Sequence, residues 1–320
     1  MSLPVPLPTH DAAPGVSSLA PSLLGAPECL WPAGADLGEG VLWSQREQAL
    51  YWVDILGHRL YRWRSGDGAR HQWQFGEEIS ALAERASAPG LIVTLRRGFA
   101  FFDPATATAV APVPTVLHQP ESDQPGNRFN DGKCDAQGRF WGGTMDAACV
   151  EPTGALYRFD PDGSCSRHEH GFAVTNGPTW SGDGRTMYFN DTVRGRVYAY
   201  DFDAAAGTVS NRREWLRLAR GDGVPDGMTT DAAGRLWIAH WGGACVSCHD
   251  PVSAAELCRV VLPVSQVTNC AFGGDDLQTL FISSARNGLD ADQRAAEPLA
   301  GGLFTVRVDS PGRAAPLFGG

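Results

Sequence analysis

The chain has no run of lysine or arginine, and acidic residues outnumber basic ones by 36 to 26, a formal charge of −10 with histidine neutral. That balance gives a nucleic-acid or polybasic membrane role no footing, while small neutral or cationic partners stay open. No apolar stretch reaches the roughly 18 to 20 residues that cross a bilayer. The opening residues, M-S-L-P-V-P-L-P-T-H-D-A-A-P-G, lack a basic start and are broken by proline, unlike a secretory leader. A cytoplasmic, soluble protein is expected. Eight cysteines in 320 residues are too thinly spread for a disulfide scaffold, so most are expected as free thiols. G-x-S-x-G is absent and the eight histidines are scattered, so no Ser/His/Asp nucleophile set suggests itself.

What the chain has in quantity is turn chemistry. Its 38 glycines and 22 prolines, with 43% apolar and 19% charged residues, fit a turn-rich all-β protein. One motif is a decoy. Cys245 to His249 reads C-V-S-C-H, the pattern of c-type haem attachment, but G-G-A-C-V-S-C-H-D-P superimposes on T-G-A-L-Y-R-F-D-P at 153–161. The two cysteines are therefore expected on an ordinary hairpin strand, with no haem, and no second C-x-x-C or H-x-x-x-H nearby completes a zinc site.

A polar Gly/Asp turn followed by an aromatic or aliphatic strand recurs six times, at 46–54, 86–95, 135–143, 182–191, 231–239 and 275–284. Taking Tyr51, Ile92, Trp141, Tyr188, Trp237 and Phe281 as equivalent gives intervals of 41, 49, 47, 49 and 44 residues. A second strand follows several anchors, as at 58–68, 154–163 and 195–207, alternating apolar and polar residues. Six strand-turn-strand repeats without a convincing helix predict a six-bladed β-propeller around a central channel. A β-sandwich would not explain the six copies. Residues 28–31 and 302–308 are candidates to close the ring, leaving 1–25 as a loose tail before a single propeller domain over 26–320.

Counting back from each anchor locates the chemistry. Glu39, Asn176 and Asn269 lie twelve residues before their anchors, Asn130 and Asp226 eleven, and only Ser80 occupies that place in the second repeat. Glu39, Asn130, Asn176 and Asp226 sit close to glycine, in L-G-E-G, F-N-D-G-K, T-N-G-P and P-D-G-M, where tight turns and close ligand approach are allowed. If these points begin the innermost strands, radial symmetry gathers carboxylate and amide oxygens at one mouth of the channel. Asn and Asp also favour turns on their own account. Their shared position across the repeats instead favours a hard-cation site suited to Ca²⁺, Mg²⁺ or Mn²⁺, with Zn²⁺ or Fe²⁺ open.

With L-G-E-G at 37–40, R-F-N-D-G-K at 128–133, G-T-M at 143–145, N-G-P at 176–178, P-D-G-M at 225–228 and A-G-G-L-F at 300–304, the chain resembles the SMP-30/gluconolactonase/luciferin-regenerating-enzyme family from about Leu30 to Gly302. The resemblance implies that Glu39, Asn176 and Asp226 bind one divalent metal and that Arg128 and Asn130 contact substrate. It implies metal-dependent hydrolysis of a sugar-acid lactone to the aldonic acid, with Asp226 or a hydroxide on the metal as the base. Phosphotriester hydrolysis at the same site, or a non-catalytic propeller scaffold, are the alternatives. Two departures stand out. Val41 replaces a common proline after E-G, and Asp146, followed by Ala147 and Ala148, only approximates an acidic residue some relatives carry after G-T-M. His240, Trp141 and Trp241 are expected to pack or to line the rim.

Overall fold

A computed structural model of the protein describes residues 20–320. Within them, strands form six four-stranded antiparallel sheets, the blades of a propeller. The innermost strands are Gly38–Ser44, Ile79–Glu84, Asn127–Cys134, Thr175–Trp180, Val224–Thr230 and Val267–Gly273, in blades I to VI, and each touches the next around the channel.

Burial falls from the axis outward, and the sequence follows it. Both the innermost strand of blade I and the next one, Ala49–Asp54, are buried throughout, whereas its outermost strand, Arg70–Gln74, is mostly exposed. The repeated anchors, aromatic in every blade but the second, where Ile92 stands, fall on the second strand and pack between blades: Trp141 of blade III shares a core cluster with Met187, Phe189 and Phe202 of blade IV. Removing such a ring from water contributes about 25 cal/mol per Å² of apolar surface.

The turn before an anchor has a defined job. In D-A-Q-G-R-F-W, Asp135 Oδ2 accepts from Arg139 Nε at 2.6 Å and from Trp141 Nε1 at 2.9 Å. In D-A-A-G-R-L-W, Asp231 does the same for Arg235 at 2.7 Å and Trp237 at 3.0 Å. One buried carboxylate thus fixes the turn and satisfies the indole N–H that burial would otherwise orphan.

Both candidate closing segments join blade VI. Leu303–Arg307 is its third strand, and Glu28–Trp31 pairs with it as the fourth, Glu28 opposite Thr305. Of the expected tail, residues 1–19 lie outside the described residues, but Ser22 to Leu24 are pinned: Leu24 N donates to Arg307 O at 2.8 Å and Ser22 N to Asp309 Oδ1 at 2.8 Å. A helix does exist, contrary to expectation. Ala291–Ala296 is one short turn started by a capping box between Asp290 and Gln293, too brief to show a helical period.

Residues 309–320 form a strap across the channel end opposite the polar cluster. Ala232 N donates to Pro311 O at 2.9 Å, Arg313 Nη1 to Ser181 O at 3.2 Å, Gly319 N to Gly138 O at 2.9 Å and Phe318 N to Glu84 O at 2.7 Å. Gly312 N also donates to Leu277 O of blade VI at 2.8 Å, so the strap touches five blades, II to VI, and Phe318 is buried between blades II and III.

Candidate metal centre

The polar residues are brought to the axis by one repeated backbone device. In all six innermost strands the pairing register with the second strand breaks at the equivalent position: after Glu39, between Phe129 and Gly132, after Asn176, between Pro225 and Met228, between Val267 and Asn269, and between Ile79 and Ala81. A β-bulge releases a residue from the strict alternation of faces and re-aims its side chain. Glu39, Asn130, Asn176, Asp226 and Asn269 all sit at these breaks, and each is at least nine-tenths buried.

Their contacts form one network. Asn130 Nδ2 donates to Thr175 O at 2.7 Å and to Asn176 Oδ1 at 3.0 Å, while Asn176 Nδ2 donates to Thr192 Oγ1 at 2.9 Å, which fixes the Asn176 oxygen toward Asn130. Arg128 Nη1 donates to Asn130 Oδ1 at 2.7 Å and to Phe129 O at 2.9 Å. On the other side, Asn269 Nδ2 and Gly40 N both donate to Glu39 Oε2, at 2.9 and 3.1 Å. Glu39 and Asp226, from blades I and V, lie close enough for each carboxyl group to act on the other's charge.

Two buried acids this close cannot both be charged cheaply. Burial, then the charge of nearby Asp131, pushes Glu39 up to about 7. Burial, then the charge of Glu39, holds Asp226 well above the ordinary carboxylate range. Each charge raises the cost of the other. The donor set therefore fits a divalent ion: two carboxylates whose repulsion it would relieve, plus the amide oxygen of Asn176. All are oxygens, which suits Ca²⁺, Mg²⁺ or Mn²⁺. Among the described residues no three His, Cys, Asp or Glu side chains form a metal-holding group, so amide oxygen is needed to complete this one.

The structure brings Glu39, Asp226, Asn176, Asn130 and Arg128 to the same end of the channel. Asn269, at the shared polar position, takes the role of holding Glu39, and the structure adds one residue, Asp131, whose charge acts on both acids and which accepts from Gly132 N at 2.8 Å and Gly177 N at 3.0 Å. Asp131 was visible in N-D-G-K, but whether it or Asn130 faces the site depends on the bulge.

The remaining candidates are structural. His240 is buried between Asp222 O, at 2.8 Å, and Ser247 Oγ, at 2.6 Å, and Trp141 is fully buried. Trp241 is half-buried against the core shared by blades I and II. Asp146 caps its own loop by accepting from the backbone of Ala148, Val150 and Glu151. Val41 is buried.

A family profile, the SMP-30/Gluconolactonase/LRE-like region, matches residues 37–286. YvrE of Bacillus subtilis (strain 168), provisionally named a sugar lactone lactonase, is 35% identical over 286 residues, 89% of this chain and 96% of its own. Regucalcin of Danio rerio is 36% identical over 283 residues, covering 87% and 93%. The solved structure of regucalcin from Agrobacterium tumefaciens, a calcium-binding protein, superimposes with a TM-score of 0.86 at 30% identity, covering 92% of this chain and 97% of that one. With six blades, a bulge-built polar cluster and this similarity along most of its length, the chain belongs to the SMP-30/gluconolactonase/LRE-like family.

Proposed function

We propose that the protein is a divalent-metal-dependent lactonase that hydrolyses a sugar-acid lactone to the open hydroxy acid. The observation that carries this reading is the buried Glu39–Asp226 pair beside Asn176, in a chain akin to one named a sugar lactone lactonase. Glu39, Asn176 and Asp226 would hold the ion, and the calcium-binding relative supports a metal there. When bound, the ion supplies a Lewis acid that polarises the lactone carbonyl and stabilises the oxyanion.

The chain's own residues do the rest. Asn130 orients Asn176 through its amide, and Arg128 braces Asn130 with Nη1, leaving Nε and Nη2 to meet ring hydroxyls. Asp226 takes a proton from the attacking water as the water oxygen bonds to the carbonyl carbon. The bond from that carbon to the ring oxygen then breaks, and the proton passes to the departing alkoxide. Such base assistance is worth about 10²- to 10⁴-fold.

The test is turnover of a panel of aldono-γ- and δ-lactones by chelator-stripped protein, with and without Ca²⁺, Mg²⁺, Mn²⁺, Zn²⁺ or Fe²⁺. Metal-dependent acid release that Asp226→Ala lowers by about 10² or more, with the fold intact, is expected. Turnover no faster than spontaneous opening with every metal overturns the reading.

A further inference from the structure

The sequence draws the eye to Cys245 and Cys248, but three residues along a strand place two side chains on opposite faces. The structure supplies a different partner. Cys248, in the third strand of blade V (Cys245–His249), stands directly across the ladder from Cys258, in the outermost strand Glu256–Val261. Both side chains enter the same apolar cluster between blades V and VI, Cys248 fully buried and Cys258 at its edge. Each thiol is the other's main electrostatic neighbour.

Residues directly opposite in an antiparallel pair have Cβ atoms about 4.5 to 5.5 Å apart. A disulfide needs about 3.5 to 4.5 Å. The gap is about an ångström, and the backbone has slack at this point. The register shifts immediately after the pair, where His249 faces Glu256 and Leu257 is the extra residue. Such a bulge raises local twist and bends the strand, so the ladder beside the pair is already disrupted.

We infer that Cys248 and Cys258 form a reversible dithiol–disulfide couple, oxidised by small-molecule disulfides of the glutathione type. The half-buried Cys258, on the edge strand, is the sulfur that an outside disulfide can reach. Its thiolate attacks one sulfur of oxidised glutathione, forming a mixed disulfide and releasing one reduced glutathione as thiolate. Cys248 then attacks the Cys258 sulfur and expels the second glutathione, its proton passing to the departing thiolate. Two electrons pass from the protein sulfurs to glutathione, which leaves as two reduced molecules. The neighbouring Cys248 thiol holds the Cys258 thiol below its usual range, which assigns the order of attack. The strain of closing the pair makes the bridge easy to reduce again.

A reporter is built in. Trp237 faces Cys248 across the other side of the same strand, so the row Trp237, Cys248, Cys258 crosses three strands on one face. A disulfide forming there quenches the indole.

The experiment equilibrates the full chain with oxidised and reduced glutathione and reads intact mass, peptide linkage and tryptophan emission. The wild type is expected to lose two hydrogens, yield a peptide linking 248 to 258, and dim reversibly, with dithiothreitol restoring all three signals. Cys248→Ser should stop at a glutathione adduct on Cys258, and Cys258→Ser should give neither product. Cys245→Ser should behave as wild type. Absence of the 248–258 link in excess oxidised glutathione, or an unchanged link-free mass loss in Cys258→Ser, overturns the inference.

Discussion

Asn130 of blade III donates its amide to Oδ1 of Asn176 in blade IV across 3.0 Å, coupling two blades at the channel mouth through the oxygen expected to reach the metal. The same Asn130 is the acceptor for buried Arg128. Asn130→Ala therefore strips partners from both neighbours, and leaving a buried polar group unpaired costs about 1 to 3 kcal/mol. We expect a lower melting temperature together with weaker Ca²⁺ binding by titration calorimetry. Unchanged Ca²⁺ affinity would show that Asn176 is held without its neighbour.

The raised pKa values of Glu39 and Asp226 give metal-free protein an inverted pH response. Both folded-state pKa values lie above their unfolded ones, Glu39 at about 7. The folded state binds extra protons, so this contribution to stability is complete below the ordinary carboxylate range and is lost as pH rises through about 7. Chelated protein should melt lower at about pH 8 than at about pH 5, and saturating Ca²⁺ should raise the melting point more at the higher pH. Calorimetric scans across that range check it. A flat profile without metal would mean the pair is not protonated.

Gly227 follows Asp226 in the bulge, and a Cβ there would run into the side chain of Asn269. Gly227→Ala should push Asn269 away from Glu39 and loosen the carboxylate it positions. We expect roughly 10- to 100-fold weaker metal binding, the range seen when a group orienting a ligand is lost. Far-ultraviolet dichroism should stay native. Wild-type affinity in this variant would remove Asn269 from the site.

The strap makes a separate prediction. Phe318 packs on Phe101 and Phe159 at ring distances of 6.0 Å and is 1% exposed. Phe318→Ala should destabilise the protein by about 3 to 5 kcal/mol, measured by urea unfolding. A loss under about 1 kcal/mol would mean the strap is held by its backbone bonds alone.

The repeat and the shared polar position were legible because each blade is a local unit, with its turn and anchor inside ten residues. Glu39, Asn176 and Asp226 could be aligned by counting for the same reason. The bulges were not legible, since they are defined by what a strand faces and not by what it contains. Hence Asp131 went unassigned beside Asn130, and Arg128, which reads as a free substrate contact, proves to be buried and bonded to Asn130. The Cys248–Cys258 pairing was hidden similarly, because C-x-x-C along the chain distracts from the neighbour across the ladder. The strap offers no period, only scattered contacts with five blades.

Blade VI has a kinetic consequence. Its outermost strand and its third come from opposite ends of the described chain, Glu28 against Thr305, whereas every other blade pairs residues close in sequence. Five blades can form from short-range contacts, but the sixth waits for a long-range encounter, and such encounters slow folding. The delay is bounded, because each doubling of loop length adds only about 0.6 kcal/mol to the entropy of closure. The seam should therefore be the last part of the ring to gain, and the first to lose, protection against amide hydrogen exchange.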